Sequence, residues 1–251
     1  MFCSERRKPV LLASVLVLFI ACAVPRPVAA SEQSAEARAT KIFRKSGVNG
    51  GFIVHVGCDN GRLTAQLAAD HSTTVHGLDT EMEDVYNARS YLQSRGLYGR
   101  ISVDKWNGET LPYRDNVVNL VVCEGSLPLP MKEVMRVLRP KGVVCFKPDG
   151  KWTRKVKPRP AKIDDWTHYL YDSDGNPVSQ DEKVGPPRGL QWVGSPKWAR
   201  HHDHMASMSA LVSSGGRIFY IMDRGSRKSI MLPSRWYLVA RDAFNGTILW
   251  E

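Results

Sequence analysis

His55, Gly57, Asp59, Gly61, Asp79, Asn107 and Glu124 are the residues whose types and spacing could do chemistry together. Gly57 and Gly61 bracket a turn in which the backbone can approach a ligand with no Cβ in the way. Asp79 and Glu124 each follow an apolar run, as acids at strand ends do. An acid there either caps the next helix or faces a ligand. A second cluster is His201-His202-Asp203-His204. In an extended segment His202 and His204 share a face, and such a pair could take Zn or Cu. No further ligands are specified, so packed or surface histidines are the preferred reading and no metal site is expected.

The elements that must position these residues follow from periodicity. Ser31 to Ser46 reads as a helix ended by Val48-Asn49-Gly50-Gly51. Ile53-Val54-His55-Val56 is a buried strand, Gly57 to Gly61 a turn, and a helix runs on to about Ala69. Thr73 to Leu78 is a second strand, Glu81 to Arg95 a helix, and Ile101-Ser102-Val103 a weaker third strand. Val117 to Cys123 is a strongly apolar fourth strand, Met131 to Leu138 a short helix, and Gly142 to Phe146 a fifth strand. This alternation predicts an α/β fold, a Rossmann-like parallel sheet with helices on both faces, closing at five strands. Ligands of such sheets bind at the carboxyl ends of the strands. Those ends supply Gly57 to Gly61, Asp79, Trp106-Asn107 and Glu124-Gly125.

The N-terminus has its own logic. Arg6, Arg7 and Lys8 precede an apolar run from Val10 to Val24, and Val28-Ala29-Ala30 gives a small-residue exit. A basic n-region and an apolar h-region of about 15 residues read as a signal peptide, residues 1–30, cleaved after Ala30. Lipid attachment at Cys22 is the weaker alternative. The expected location is the periplasm or cell envelope, with no membrane span in the mature chain. Of five cysteines, Cys58, Cys123 and Cys145 fall outside this segment. They are odd in number, show no CxxC spacing and lie in or beside apolar runs, so they read as small core thiols. The formal charge of +10 is concentrated in a basic run from Arg139 to Lys162. Pro148, Pro158 and Pro160 interrupt that run and aromatic interleaving such as Trp152 is sparse, so it reads as a solvated linker and not as a nucleic-acid surface.

These residues resemble the class I S-adenosylmethionine-dependent methyltransferases, specifically the group called methyltransferase type 11. The similarity covers roughly Phe52 to Lys147. Val56-Gly57-Cys58-Asp59-Asn60-Gly61-Arg62-Leu63-Thr64 resembles the glycine loop, Gly77-Leu78-Asp79 the ribose motif, and Trp106 to Tyr113 the adenine-side loop. Glu133-Val134-Met135-Arg136-Val137-Leu138-Arg139-Pro140-Lys141-Gly142 resembles the helix and turn before strand five. The resemblance implies S-adenosylmethionine as cofactor, bound by His55, Gly57, Asp59, Gly61, Asp79 and Asn107, with Glu124 on the acceptor side. An acid at Asp59 would repel a pyrophosphate but tolerates a phosphate-free, cationic cofactor. The sequence also departs from the family. His55 stands in place of an acid, Asp59 in place of the middle glycine, and Asn107 and Asn119 in place of aspartates.

Beyond Gly150 the composition changes. Lys151 to Pro187 is rich in Pro, Asp, Gly and charge, and Trp152, Trp166, Tyr169, Tyr171, Trp192 and Trp198, in it and just beyond, are expected to pin irregular chain to a core surface. Residues 201–251 read as two β-hairpins. Ala240, Asp242, Gly246 and Trp250 resemble the Ala-x-Asp-x-x-x-Gly-x-x-x-Trp repeat of PQQ-type β-propellers. One copy fills an incomplete blade, so PQQ is not expected. A split reading frame, or blades from another chain, would complete it. A competing expectation is that these hairpins supply the missing strands of the first sheet. The organisation expected is a signal peptide (1–30), a methyltransferase-like domain (31–150), a linker (151–200) and a partial blade (201–251). The function expected is methyl transfer to an unknown acceptor. The alternative is a non-catalytic exported binding protein.

Overall fold

A computed structural model describes residues 27–185, 189–196, 208–229 and 231–251. The signal segment up to residue 26, Trp198, and His201, His202 and His204 lie outside the described residues. The apolar runs form the strands expected: β1 (Gly51–Val56), β2 (Thr73–Asp79), β3 (Ile101–Lys105), β4 (Val118–Cys123) and β5 (Leu138–Phe146). Between them lie α2 (Arg62–Gln66), α3 (Met82–Ser94) and α4 (Met131–Val137), and α1 (Pro27–Ser46) precedes the sheet. Among the described residues no helix is long and apolar enough to cross a membrane.

Alternation along β1 decides which residue faces which layer. Ile53 turns toward α1, α2 and α3, meeting Ile42, Leu63, Val85 and Leu92 in one buried cluster. Val54 and Val56 turn the other way, into a cluster with Val134 and Val137 of α4 and with Trp106 and Leu111. Helices therefore cover both faces, as the near-continuous apolar strands require.

The strand order is β3-β2-β1-β4-β5-β6, and β1 to β5 run parallel. The sheet does not stop at five strands. β6 (Thr153–Val156) lies antiparallel on β5, from Val143↔Val156 to Phe146↔Thr153. Its basic residues hid it, because an edge strand needs one apolar face at most and tolerates charge on the other. The basic run is accordingly not a solvated linker throughout. Lys157 turns inward, and its Nζ donates to Asn116 Oδ1 (2.7 Å) and Leu138 O (2.7 Å).

The C-terminal hairpins do not extend this sheet. They form their own antiparallel meander from β7 (Met208–Ser214), β8 (Arg217–Asp223), β9 (Trp236–Asp242) and β10 (Ile248–Trp250), in the order β10-β9-β8-β7. Trp166, Tyr171 and Trp192 pin the intervening chain as expected. Trp166 and Tyr171 meet edge to face at 5.4 Å, and Trp192 Nε1 donates to Ala243 O (3.0 Å). Tyr169 is exposed and pins nothing.

Candidate functional site

Asp79, at the carboxyl end of β2, ties the expected crevice together. The Asp59 N–H donates to its Oδ2 (3.0 Å), and the Glu81 N–H donates to its Oδ1 (3.2 Å). Each carboxylate oxygen keeps lone-pair capacity for a further donor. Asp79 thus spans the glycine turn of one strand and the entry to α3. Its bond to the Glu81 N–H orders the approach to α3, whose first turn has no side-chain cap, and leaves room for a ligand role. The Gly57 N–H donates to Leu78 O (2.8 Å), which locks the turn against β2.

The two glycines serve different ends. Gly57 has φ +73°, and a Cβ there would meet no atom within 4 Å. Its openness leaves bare backbone facing free space. Gly61 has φ +75°, and a Cβ would lie 2.9 Å from Ala88 Cα. Gly61 is therefore a packing requirement of α2 against α3. Asp59 also adopts a left-handed φ of +46°, which an aspartate tolerates better than most residues.

His55 is buried, with Nδ1 2.9 Å from Thr64 Oγ1. Among the described residues its Nε2 has no hydrogen-bond partner. Burial, reinforced by the Arg38 guanidinium and opposed by Asp79, lowers its pKa to about 4. The imidazole is neutral at physiological pH, and no carboxylate occupies this position.

Glu124 follows β4 and is not a free loop acid. Arg38 Nη1 of α1 donates to Glu124 Oε2 at 2.5 Å, with both side chains partly exposed. Asn107 lies at the surface and its Oδ1 accepts the Glu109 N–H (3.0 Å), forming a local turn. Trp106 Nε1 donates to Thr110 O (2.6 Å) and holds the same loop. The structure thus joins Asp59 and Asp79 by a direct hydrogen bond and holds Gly57 beside them through Leu78 O. It couples His55 electrostatically to Asp79 and Arg38. The side chain of Asn107 is turned instead to its own loop, through the Glu109 N–H.

Arg38 and Thr64 were not singled out in the sequence. Arg38 carries no motif. Thr64 sits in the first turn of the helix after the glycines, and its distance from His55 in sequence conceals their bond. Cys58, Cys123 and Cys145 are free and buried, as expected. Burial raises the Cys58 pKa to about 12.

Asn119 belongs elsewhere. At the start of β4, its Oδ1 accepts the Phe52 N–H (2.9 Å) and Asn245 Nδ2 (2.6 Å), and its Nδ2 donates to Asp242 Oδ2 (2.8 Å). Arg139 Nε lies 2.9 Å from the same Asp242 oxygen, an ion pair whose angle is poor for a hydrogen bond. These contacts dock the meander against the amino end of the sheet, opposite the crevice.

Residues 53–142 match a family model described as a methyltransferase domain. Methyltransferase GfsG of Streptomyces halstedii is 30% identical over 117 residues, covering 44% of this chain and 42% of that protein. The chain spans under half the length of the curated relatives it matches. Among solved structures, a SAM-dependent methyltransferase from Aquifex aeolicus is 19% identical, with a TM-score of 0.40, over 46% of this chain and 71% of that one. The [4+2]-cyclase SpnF is 25% identical, with a TM-score of 0.42, over 45% and 44%. Residues 53–142 are thus similar to methyltransferase domains and lie in a Rossmann-like sheet, and a small antiparallel sheet follows.

Proposed function

We propose that the crevice at the carboxyl ends of β1, β2 and β4 binds S-adenosylmethionine and that the protein transfers a methyl group to an acceptor yet to be identified. One observation carries this reading: Asp79 is held by two backbone N–H groups beside the open Gly57 turn, with acceptor capacity to spare. That arrangement fits a nucleoside, because vicinal ribose hydroxyls offer two donors at carboxylate spacing. The Asp59 carboxylate beside it suits a ligand without phosphates.

The chain's residues divide the work as follows. Asp79 orients the ribose, and the bare backbone at Gly57 admits the ligand closely. Asn107 retains a second Oδ1 lone pair and an amide for an adenine edge. Arg38 offers a guanidinium for a carboxylate, once exchanged from Glu124. When bound, the cofactor supplies an electrophilic methyl group on a sulfonium. Transfer then rests chiefly on in-line positioning. Glu124, released from Arg38, would hydrogen-bond the acceptor or take its proton.

His55 favours a second reading, a binding domain without turnover. A neutral imidazole offers no charge to an ammonium group, so affinity for the amino-acid end should be weaker than an acid would give. The propeller-type blade and export to the envelope remain part of either proposal. Calorimetric titration separates them from a folded domain with no ligand. Saturable heat with S-adenosylmethionine, lost in Asp79→Ala, supports the crevice. Methylation of a candidate acceptor pool from tritiated cofactor then distinguishes the enzyme from the binding domain.

A further inference from the structure

The basic run and the docking interface meet in a second cavity. It measures about 330 Å³ and lies at the amino end of the sheet, between α1, β5, β6 and the meander. Four cationic side chains line it: Arg139 and Lys141 from β5, Arg154 from β6 and Arg217 from β8. Among the described residues no acidic side chain does. Asp242, just behind it, pairs with Arg139. Among the described residues Lys141, Arg154 and Arg217 have no carboxylate within ion-pair distance. Arg154 Nε donates to Ser46 O (3.3 Å), which satisfies a carbonyl at the C-terminal end of α1. That bond uses one of five guanidinium donors. The remaining wall mixes polar Ser46, Asn49 and Asn119 with apolar Val48, Val143, Leu249 and Trp250.

Like charges from three separate stretches of chain converge here against mutual repulsion. Such a grouping gains stability when an anion binds the folded state. Two guanidiniums with spare donors and an ammonium suit oxyanions that accept several bonds at once. The volume is at the small end of ligand pockets. We propose that this cavity binds a small polyanion carrying two or three phosphate or carboxylate charges, with Trp250 and Leu249 receiving its apolar body. Such a ligand would bridge the methyltransferase-type domain and the meander. The site stands at the opposite end of the sheet from the crevice and does not depend on how the crevice is read.

Calorimetry with pyrophosphate and with citrate tests this on the full chain. Saturable binding is expected in about 0.05 M salt, weakened by raising the salt. Arg217→Glu should weaken it at least about tenfold, equivalent to about 1.4 kcal/mol. Arg217 and Lys141 are both exposed, so Lys141→Glu serves as a second folded variant with the same expected direction. Lys132→Glu, on the exposed face of α4, should leave binding within about twofold. Tighter binding of pyrophosphate marks a phosphate ligand and tighter binding of citrate a polycarboxylate; either supports the site. Two results overturn it. One is no heat from either probe at about 5 mM. The other is equal weakening by Lys132→Glu and Arg217→Glu, which would mean adventitious attraction to a basic surface. Excess S-adenosylmethionine should not displace the probe.

Discussion

The two ends of the sheet carry the same kind of motif departure with opposite consequences. At the carboxyl end, His55 stands where the family that the sequence resembles has an acid, and among the described residues one of its buried nitrogens has no partner. At the amino end, Asn119 replaces an aspartate and every polar atom of its amide that is needed finds a partner in β1 or the meander. An aspartate at 119 would face Asp242, and two buried carboxylates would repel. The asparagine is thus explained by the docking of a second module. The histidine is explained only halfway, by its bond to Thr64.

The largest expected effect lies at the amino end. Asp242→Ala removes the buried partner of Arg139, Asn119 and the Phe244 N–H. Urea denaturation should show a loss of about 4 kcal/mol, the scale for breaking a buried pair. A loss under about 1 kcal/mol would mean the modules are docked by other contacts.

The next effect belongs to His55. Its folded pKa of about 4 lies below the ordinary histidine value of 6.5. Between those values the unfolded chain takes up a proton that the folded chain refuses. Stability should therefore be full above pH 6.5 and fall as pH drops toward 4, by up to about 3 kcal/mol from this group. His76 shifts in the same direction, also through burial, so wild type must be compared with His55→Gln. The variant should show a flatter pH profile in that window. Identical profiles would place the titration elsewhere.

Much of this was readable in advance, for definite reasons. Ile53, Leu120 and Val143 sit in continuous apolar runs, and buried parallel strands have no other sequence form. Gly57 and Asp79 were visible because strand, turn and acid recur at fixed register. β6 was not visible, because Thr153-Arg154-Lys155-Val156 buries almost nothing and pairs only through its backbone. Arg38 was not visible either. It reaches Glu124 across 86 residues of sequence by the fold alone. The same holds for Asn119 and Asp242, 123 residues apart.

The glycines sharpen the comparison within the crevice itself. Gly61→Ala places a Cβ against the Ala88 backbone at positive φ and should cost about 2 kcal/mol in denaturation. Gly57→Ala meets open space, so only the strain of its positive φ applies, about 1 kcal/mol. Ligand affinity should show the reverse order, because the Gly57 methyl projects into the crevice. Equal affinities in the two variants would break that distinction.

The direct measurement is a calorimetric titration of S-adenosylmethionine into wild type and Asp79→Ala, with circular dichroism confirming that both are folded. Saturable binding to wild type, weakened at least about tenfold in the variant, is the predicted result. No heat from wild type at millimolar cofactor, or equal affinity in Asp79→Ala, would contradict the assignment of the crevice.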